Sequence, residues 1–158
     1  MTFNPNQVMN YQSVYTENPG EQITSTTLQV VSGSEITYEP FINTDYVIYE
    51  INFTQDYYND LDIINNYYLE SGSLGGTFGE VEGCTNNFQS TNASVPKDMK
   101  SLMFIIPSWV GKKRLRLTVD AYGNDYQTRL HRTATWEGAT NTSKVNSVNL
   151  EVFSVRNQ

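Results

Sequence analysis

His131 is the only histidine in this chain and Cys84 the only cysteine, so imidazole or thiol chemistry would have to pass through one of these two positions. A histidine acting as a general base needs a nucleophile within reach and an acid to orient it. Serines are plentiful, but none lies in a nucleophile-elbow motif. His131 alternates with Arg129 and Thr133 in a stretch that reads as a strand, so it is expected to be structural or at the surface. Cys84 has no nearby basic residue to lower its thiol pKa and is expected to be inert. A single cysteine also excludes an intrachain disulfide and leaves a cysteine metal site without partners. Asp56, Asn59, Asp60 and Asp62 gather the oxygens that hard cations favour, yet the glycine and distal glutamate of an EF-hand loop are missing. A solvated acidic turn is expected there, with calcium as a secondary reading. No catalytic residue, metal or cofactor is assigned, and the chain is expected not to be an enzyme.

Two surface chemistries remain. Tyr57-Tyr58 and Tyr67-Tyr68 flank the acidic turn, and Trp109 and Trp136 sit at strand ends. Aromatic rings beside Asp and Asn could stack on and hydrogen-bond a sugar, which makes a host-surface glycan one candidate partner. Aromatic enrichment equally marks cores and protein interfaces. The second chemistry is the basic cluster Lys112, Lys113, Arg114 and Arg116. It matches no nucleic-acid-binding motif, and a net charge of −7 opposes phosphate backbones and anionic lipid. No nucleic-acid or membrane partner is expected.

Charge is divided along the chain. Residues 1–96 hold twelve acids and no base, a formal −12, whereas residues 97–158 hold ten bases and five acids, a formal +5. The basic cluster therefore has counterions in the N-terminal segment, either of its own chain or of a neighbouring copy. Arg114 and Arg116 are candidate interface residues on that ground, since complementary fields set register and encounter rate.

The elements that would position these residues read as strands. Residues 1–20 carry Pro5, Pro19 and no sustained hydrophobic period, and read as an extended arm with Phe3, Val8, Tyr11 and Tyr15 as anchors for a partner. Residues 21–158 are expected to form one domain. Ile23 to Val31 and Glu35 to Glu39 are expected to pair as a hairpin around Ser32-Gly33-Ser34. Strict alternation from Tyr46 to Gln55 sets Val47, Tyr49, Ile51 and Phe53 on one face. Asp62 to Glu70 reads as a strand, Gly72 to Gly83 as a glycine-rich loop with a short strand near Thr77 to Val81, and Thr85 to Lys97 as a polar loop. Leu102 to Ile106 reads as a strand buried on both faces. Arg114 to Tyr122 alternates again, turns at Gly123-Asn124 and folds back on Asp125 to Trp136. Val145 to Val155 closes the chain. About eight antiparallel strands and no helical periodicity predict an all-β, single-domain jelly roll or β-sandwich. The N-terminus lacks the charged and apolar regions of a signal peptide, and no stretch is long and apolar enough for a membrane-spanning helix.

The segment from Ser32 through Pro40, followed by Val47-Ile48-Tyr49-Glu50-Ile51-Asn52-Phe53, resembles the entry hairpin of β-sandwich domains in structural proteins of tailed phages, especially marine cyanophages. Arg114-Leu115-Arg116-Leu117, then Tyr126 to Leu130, His131 and Trp136-Glu137-Gly138, is similar to the closing hairpin of those domains. The resemblance implies a virion protein, such as a capsid decoration or cement protein, a fibre or a tail appendage. It also implies contacts with other capsid or tail components, and a homotrimer. The alternative function is a module of a phage tail that binds host carbohydrate.

Overall fold

The computed structural model describes residues 8–57, 63–90, 98–137 and 140–156. In chain order the strands are β1 (Val8–Thr16), β2 (Gln22–Ile23), β3 (Gln29–Val30), β4 (Ile36–Tyr38), β5 (Tyr46–Tyr57), β6 (Ile63–Ser73), β7 (Phe78–Ser90), β8 (Asp98–Pro107), β9 (Lys113–Ala121), β10 (Thr128–Leu130), β11 (Arg132–Glu137), β12 (Thr140–Val145) and β13 (Val148–Val155). Two antiparallel sheets built from eleven of them pack face to face as a β-sandwich, and β11 and β12 form a separate hairpin.

β5 is the hub of the first sheet. β8 runs along one side of it from Tyr46 to Gln55, while β13 and then β10 share the other side. β1 lies outside β13, and β2 outside β10. In the second sheet β9 is central: β6 pairs with it from Lys113 to Ala121, β3 and β4 pair with it too, and β7 lies outside β6. The alternation of β5 and β9 is the physical basis of the core. Val47, Tyr49, Ile51 and Phe53 from one sheet meet Leu115, Leu117 and Val119 from the other, all at most 1% exposed.

Polar side chains link the two layers where they would otherwise be costly to bury. Tyr49 Oη donates to the Ser34 carbonyl at 2.6 Å, Tyr67 Oη to Gln55 Oε1 at 2.8 Å, and Tyr38 Oη lies 2.6 Å from Ser154 Oγ. Ser34 Oγ in turn donates to the Leu117 carbonyl and accepts from the Leu117 amide. Buried hydroxyls paired in this way avoid an orphan penalty of about 1–3 kcal/mol each.

Several expected elements are arranged differently. Residues 8–16 of the expected arm form β1, antiparallel to β13 with a register shift between Met9 and Gln12. The span from Ile23 to Val31 divides into β2 and β3 on opposite sheets, and β3 and β4 both pair β9 rather than each other. Gly79, Gly83 and the polar stretch from Thr85 to Ser90 belong to the long strand β7. A 3-10 turn at Asn124–Tyr126 replaces the two-residue hairpin, and β10 joins β5 in the other sheet instead of returning along β9.

Candidate docking surface

β5 and β13 turn one row of side chains inward and the other onto the outer face of the first sheet. Register carries a cross-strand row there from Phe153 to Ile48 to Ile105, and Tyr11, at the irregularity in β1, stacks on Phe153 with ring centroids 6.3 Å apart. Ile48 is covered by this row, but Tyr11, Tyr15, Tyr46, Met99, Met103 and Ile105 are all exposed on the same face. Glu151 and Glu50 form the next row, opposite Met103, and Asn149, Asn52 and Ser101 the row beyond it beside Tyr15, so the face is apolar with polar rows between, a composition that suits a contact surface.

The loops at the Tyr46 end extend the surface. Phe41, Ile42 and Val110 project into solvent from the segments joining β4 to β5 and β8 to β9. Backbone and side-chain bonds fix these loops: Asp45 N–H donates to the Val155 carbonyl, Ser108 N–H to the Asp45 carbonyl, and Arg156 Nε to the Asn43 carbonyl, each at 2.9 Å. A hollow of about 350 Å³ lies between them, lined by Pro40, Phe41, Ile42, Thr44, Trp109 and Val110. Trp109 is half-buried, edge-on to Tyr38 at 6.2 Å, with Lys113 Nζ 5.3 Å from its ring centroid. Its ring is thus a packing element as well as part of the wall.

Arg114 and Arg116, expected to face a neighbour, are engaged within their own chain. Arg116 Nε donates to Glu70 at 2.7 Å, and its guanidinium lies 3.8 Å from the Phe78 ring centroid. Arg114 donates to the Gly76 carbonyl at 2.7 Å and stands 3.6 Å from Glu35. Arg132 meets Glu21 at 3.0 Å. In each of these three ion pairs an acid from the base-free segment meets an arginine from the other. Replacing Arg116 with methionine is expected to cost about 1–2 kcal/mol, because Glu70 is left mostly buried without its donor. The urea midpoint measures it, and a parallel Arg129→Met variant gives the scale for an arginine on another sheet.

The other sequence candidates are distributed through the fold. Val8 pairs with Val155 on β13, and Tyr11 and Tyr15 are on the outer face. Phe3, Tyr58, Asn59, Asp60 and Asp62 lie outside the described residues, as does the side chain of Trp136. Asp56 is buried at the end of β5, opposite Arg129, and no metal-ligating cluster occurs among the described residues. Cys84 is buried, and burial followed by the Glu80 carboxylate pushes its thiol pKa up. Tyr67 is in the core, and Tyr68 points to the other side of the second sheet.

Against known proteins, no family model matches this chain. No curated protein matches it either.

His131, read as structural or at the surface, sits inside the fold, and only its backbone departs from the strand expected there. It is fully buried, and its φ of 65° turns the chain out of β10 and into the β11–β12 hairpin. Its amide donates to the Thr54 carbonyl at 2.8 Å, its carbonyl accepts from Asn146 at 2.7 Å, and its ring meets Phe53 edge-on at 5.9 Å. Neither ring nitrogen has a hydrogen-bond partner among the described residues. Burial lowers its pKa to about 4. No periodicity in the sequence signals a positive φ at a histidine. The outer face was missed for a related reason, since exposed Met103 and Ile105 made β8 read as buried on both sides.

Proposed function

We propose that this chain is a small structural protein of a phage virion, one that decorates or cements the capsid or belongs to an external fibre or tail appendage. It works through protein contacts. The observation that carries this reading is the outer face of the first sheet, where six large hydrophobic side chains are exposed and, at the Tyr46 end, stand beside the Phe41, Ile42 and Val110 loops. A broad, shallow apolar surface on a rigid sheet suits another protein surface, whose core contacts are likewise apolar and aromatic. The phage resemblance supplies the particle.

Immunogold labelling of particles made by cells that carry the gene tests the reading. Label on the particles supports it; protein found only in the particle-free fraction overturns it. A Phe41→Ser, Ile42→Ser double variant is expected to keep the wild-type circular dichroism spectrum and to reduce particle-bound protein about tenfold or more, the loss of two exposed anchors.

A further inference from the structure

Sheet edges are where unpaired backbone groups invite another strand, and folded chains ordinarily blunt them. Most of the edges in these two sheets are blunted. β2, β3 and β4 have only two or three residues each. β1 is interrupted between Met9 and Gln12, with Asn10 at a φ of 48°. β7 sets Val81 to Cys84 between its pairings at Glu80 and Thr85, includes Gly83 at a φ of 74°, and carries Glu80 and Glu82.

β8 has fewer of these devices, with charges only at Asp98 and Lys100 and a proline only at its end, Pro107. Its ten residues pair one-to-one with β5 from Asp98 to Pro107 without a register shift. On its other side no backbone hydrogen bond joins it to a described residue, and the contact there is by side chain, Lys100 Nζ lying 3.2 Å from the ring centroid of Phe88 on β7. Between Met99 and Ile106 it has no glycine, no proline and no acid, and Lys100 is its single charge. Met99, Met103 and Ile105 stand exposed along it at 71%, 54% and 43%.

We propose that β8 is a self-pairing edge: the β8 strand of a second copy adds to it antiparallel about a two-fold axis, making one continuous sheet from two chains. Charge and pattern select a second copy. A chain of net charge −7 repels its copies over most of its surface, whereas β8 presents a stretch free of acid. With the axis at Leu102, directly opposed residues fall on the same face. Met99 then meets Ile105 of the second copy, and Ser101 meets Met103 of the second copy, so exposed apolar side chains cover one another. The two Lys100 residues stand four positions apart along the strands, about 13 Å, beyond the physiological screening length of about 8 Å. The apolar row from Tyr11 to Ile105 continues across the junction. An isologous pair also closes on itself, removing both open edges at once. This pairing does not depend on the virion reading.

The full chain is tested by light scattering at about 100 μM, a concentration that populates contacts of micromolar affinity. The expected mass is about 36 kDa, twice the chain's 18.0 kDa. Met103→Lys with Ile105→Lys is expected to return it to 18.0 kDa with an unchanged circular dichroism spectrum, since both side chains are exposed. Hydrogen exchange of the wild type, read at about 1 and about 100 μM, supplies the second measurement, and the β8 amides are expected to slow with concentration. A wild-type monomer at the higher concentration overturns the proposal, and so does a dimer whose β8 amides exchange independently of concentration. A mass near 54 kDa, about three chains, overturns it in favour of the three-fold unit implied by the resemblance.

Discussion

Tyr49→Ala is expected to remove about 4 kcal/mol of folding stability, against the roughly 5–15 kcal/mol that holds a domain of ordinary stability. Tyr49 is fully buried in the middle of β5, its ring tilted against Phe104 at 6.4 Å and its hydroxyl 2.6 Å from the Ser34 carbonyl. Truncation deletes the ring from the space between the sheets and orphans the carbonyl of a residue whose own side chain pins β9 at Leu117. Tyr49→Phe separates the two contributions. It keeps the ring and loses only the hydroxyl, so about 1–2 kcal/mol is expected. Urea denaturation of the two variants measures both, and a Phe variant as unstable as the Ala variant would assign the whole effect to the hydrogen bond.

Lowering the pH from about 6.5 to about 4 is expected to weaken the fold by roughly 3 kcal/mol through His131 alone, at about 1.4 kcal/mol per unit of pKa difference. The sign follows from its depressed pKa, which burial brings from 6.5 to about 4. Above about 6.5 the imidazole is neutral in both folded and unfolded chains, and its contribution to stability is constant. Between the two values the unfolded chain binds the proton more readily, so stability falls as pH falls. Below about 4 both states are protonated and the loss is complete. His131→Asn removes the titration while tolerating the positive φ, a conformation asparagine adopts more readily than most residues. Its urea midpoint is expected to change less than the wild type's between pH 7 and pH 4, even though the smaller side chain makes it less stable at pH 7. An equal slope in both proteins would show that other groups govern the acid limb.

The legibility of this fold follows how regularly each strand alternates. β5 and β9 bury one row and pair without interruption, so Val47 to Phe53 and Leu115 to Ala121 announced the core directly. β1 lost its period at Asn10 and read as an arm. β7 read as loop because Gly79 and Gly83 weaken strand propensity; pairing with β6 overrides that weakness. β10 was placed on the wrong partner because Gly123-Asn124 has hairpin chemistry, while the buried contacts of Thr128 and Leu130 lie with β5 and β2. The surface was legible only in its members. Tyr11 and Tyr15 were singled out, but nothing in a linear pattern places them on one face with Tyr46, Met103 and Ile105. Charge pointed Arg114 and Arg116 toward the acidic segment of a neighbouring copy, whereas tertiary geometry gives them Glu35 and Glu70 of the same chain.

β5 is the hub of the first sheet, yet its partners β8, β10 and β13 all follow it in the chain. A ribosome therefore delivers β5 before its partners, and it delivers all twelve acids of residues 1–96 before Lys97. Until Lys97 and the nine bases that follow it emerge, residues 1–96 have no side-chain cation to collapse upon. A formal charge of −12 on residues 1–96 opposes premature collapse and association of apolar strands such as Val47 to Phe53. The order of synthesis thus makes folding a late closure, completed when the basic third of the sequence arrives to neutralise and cover what preceded it.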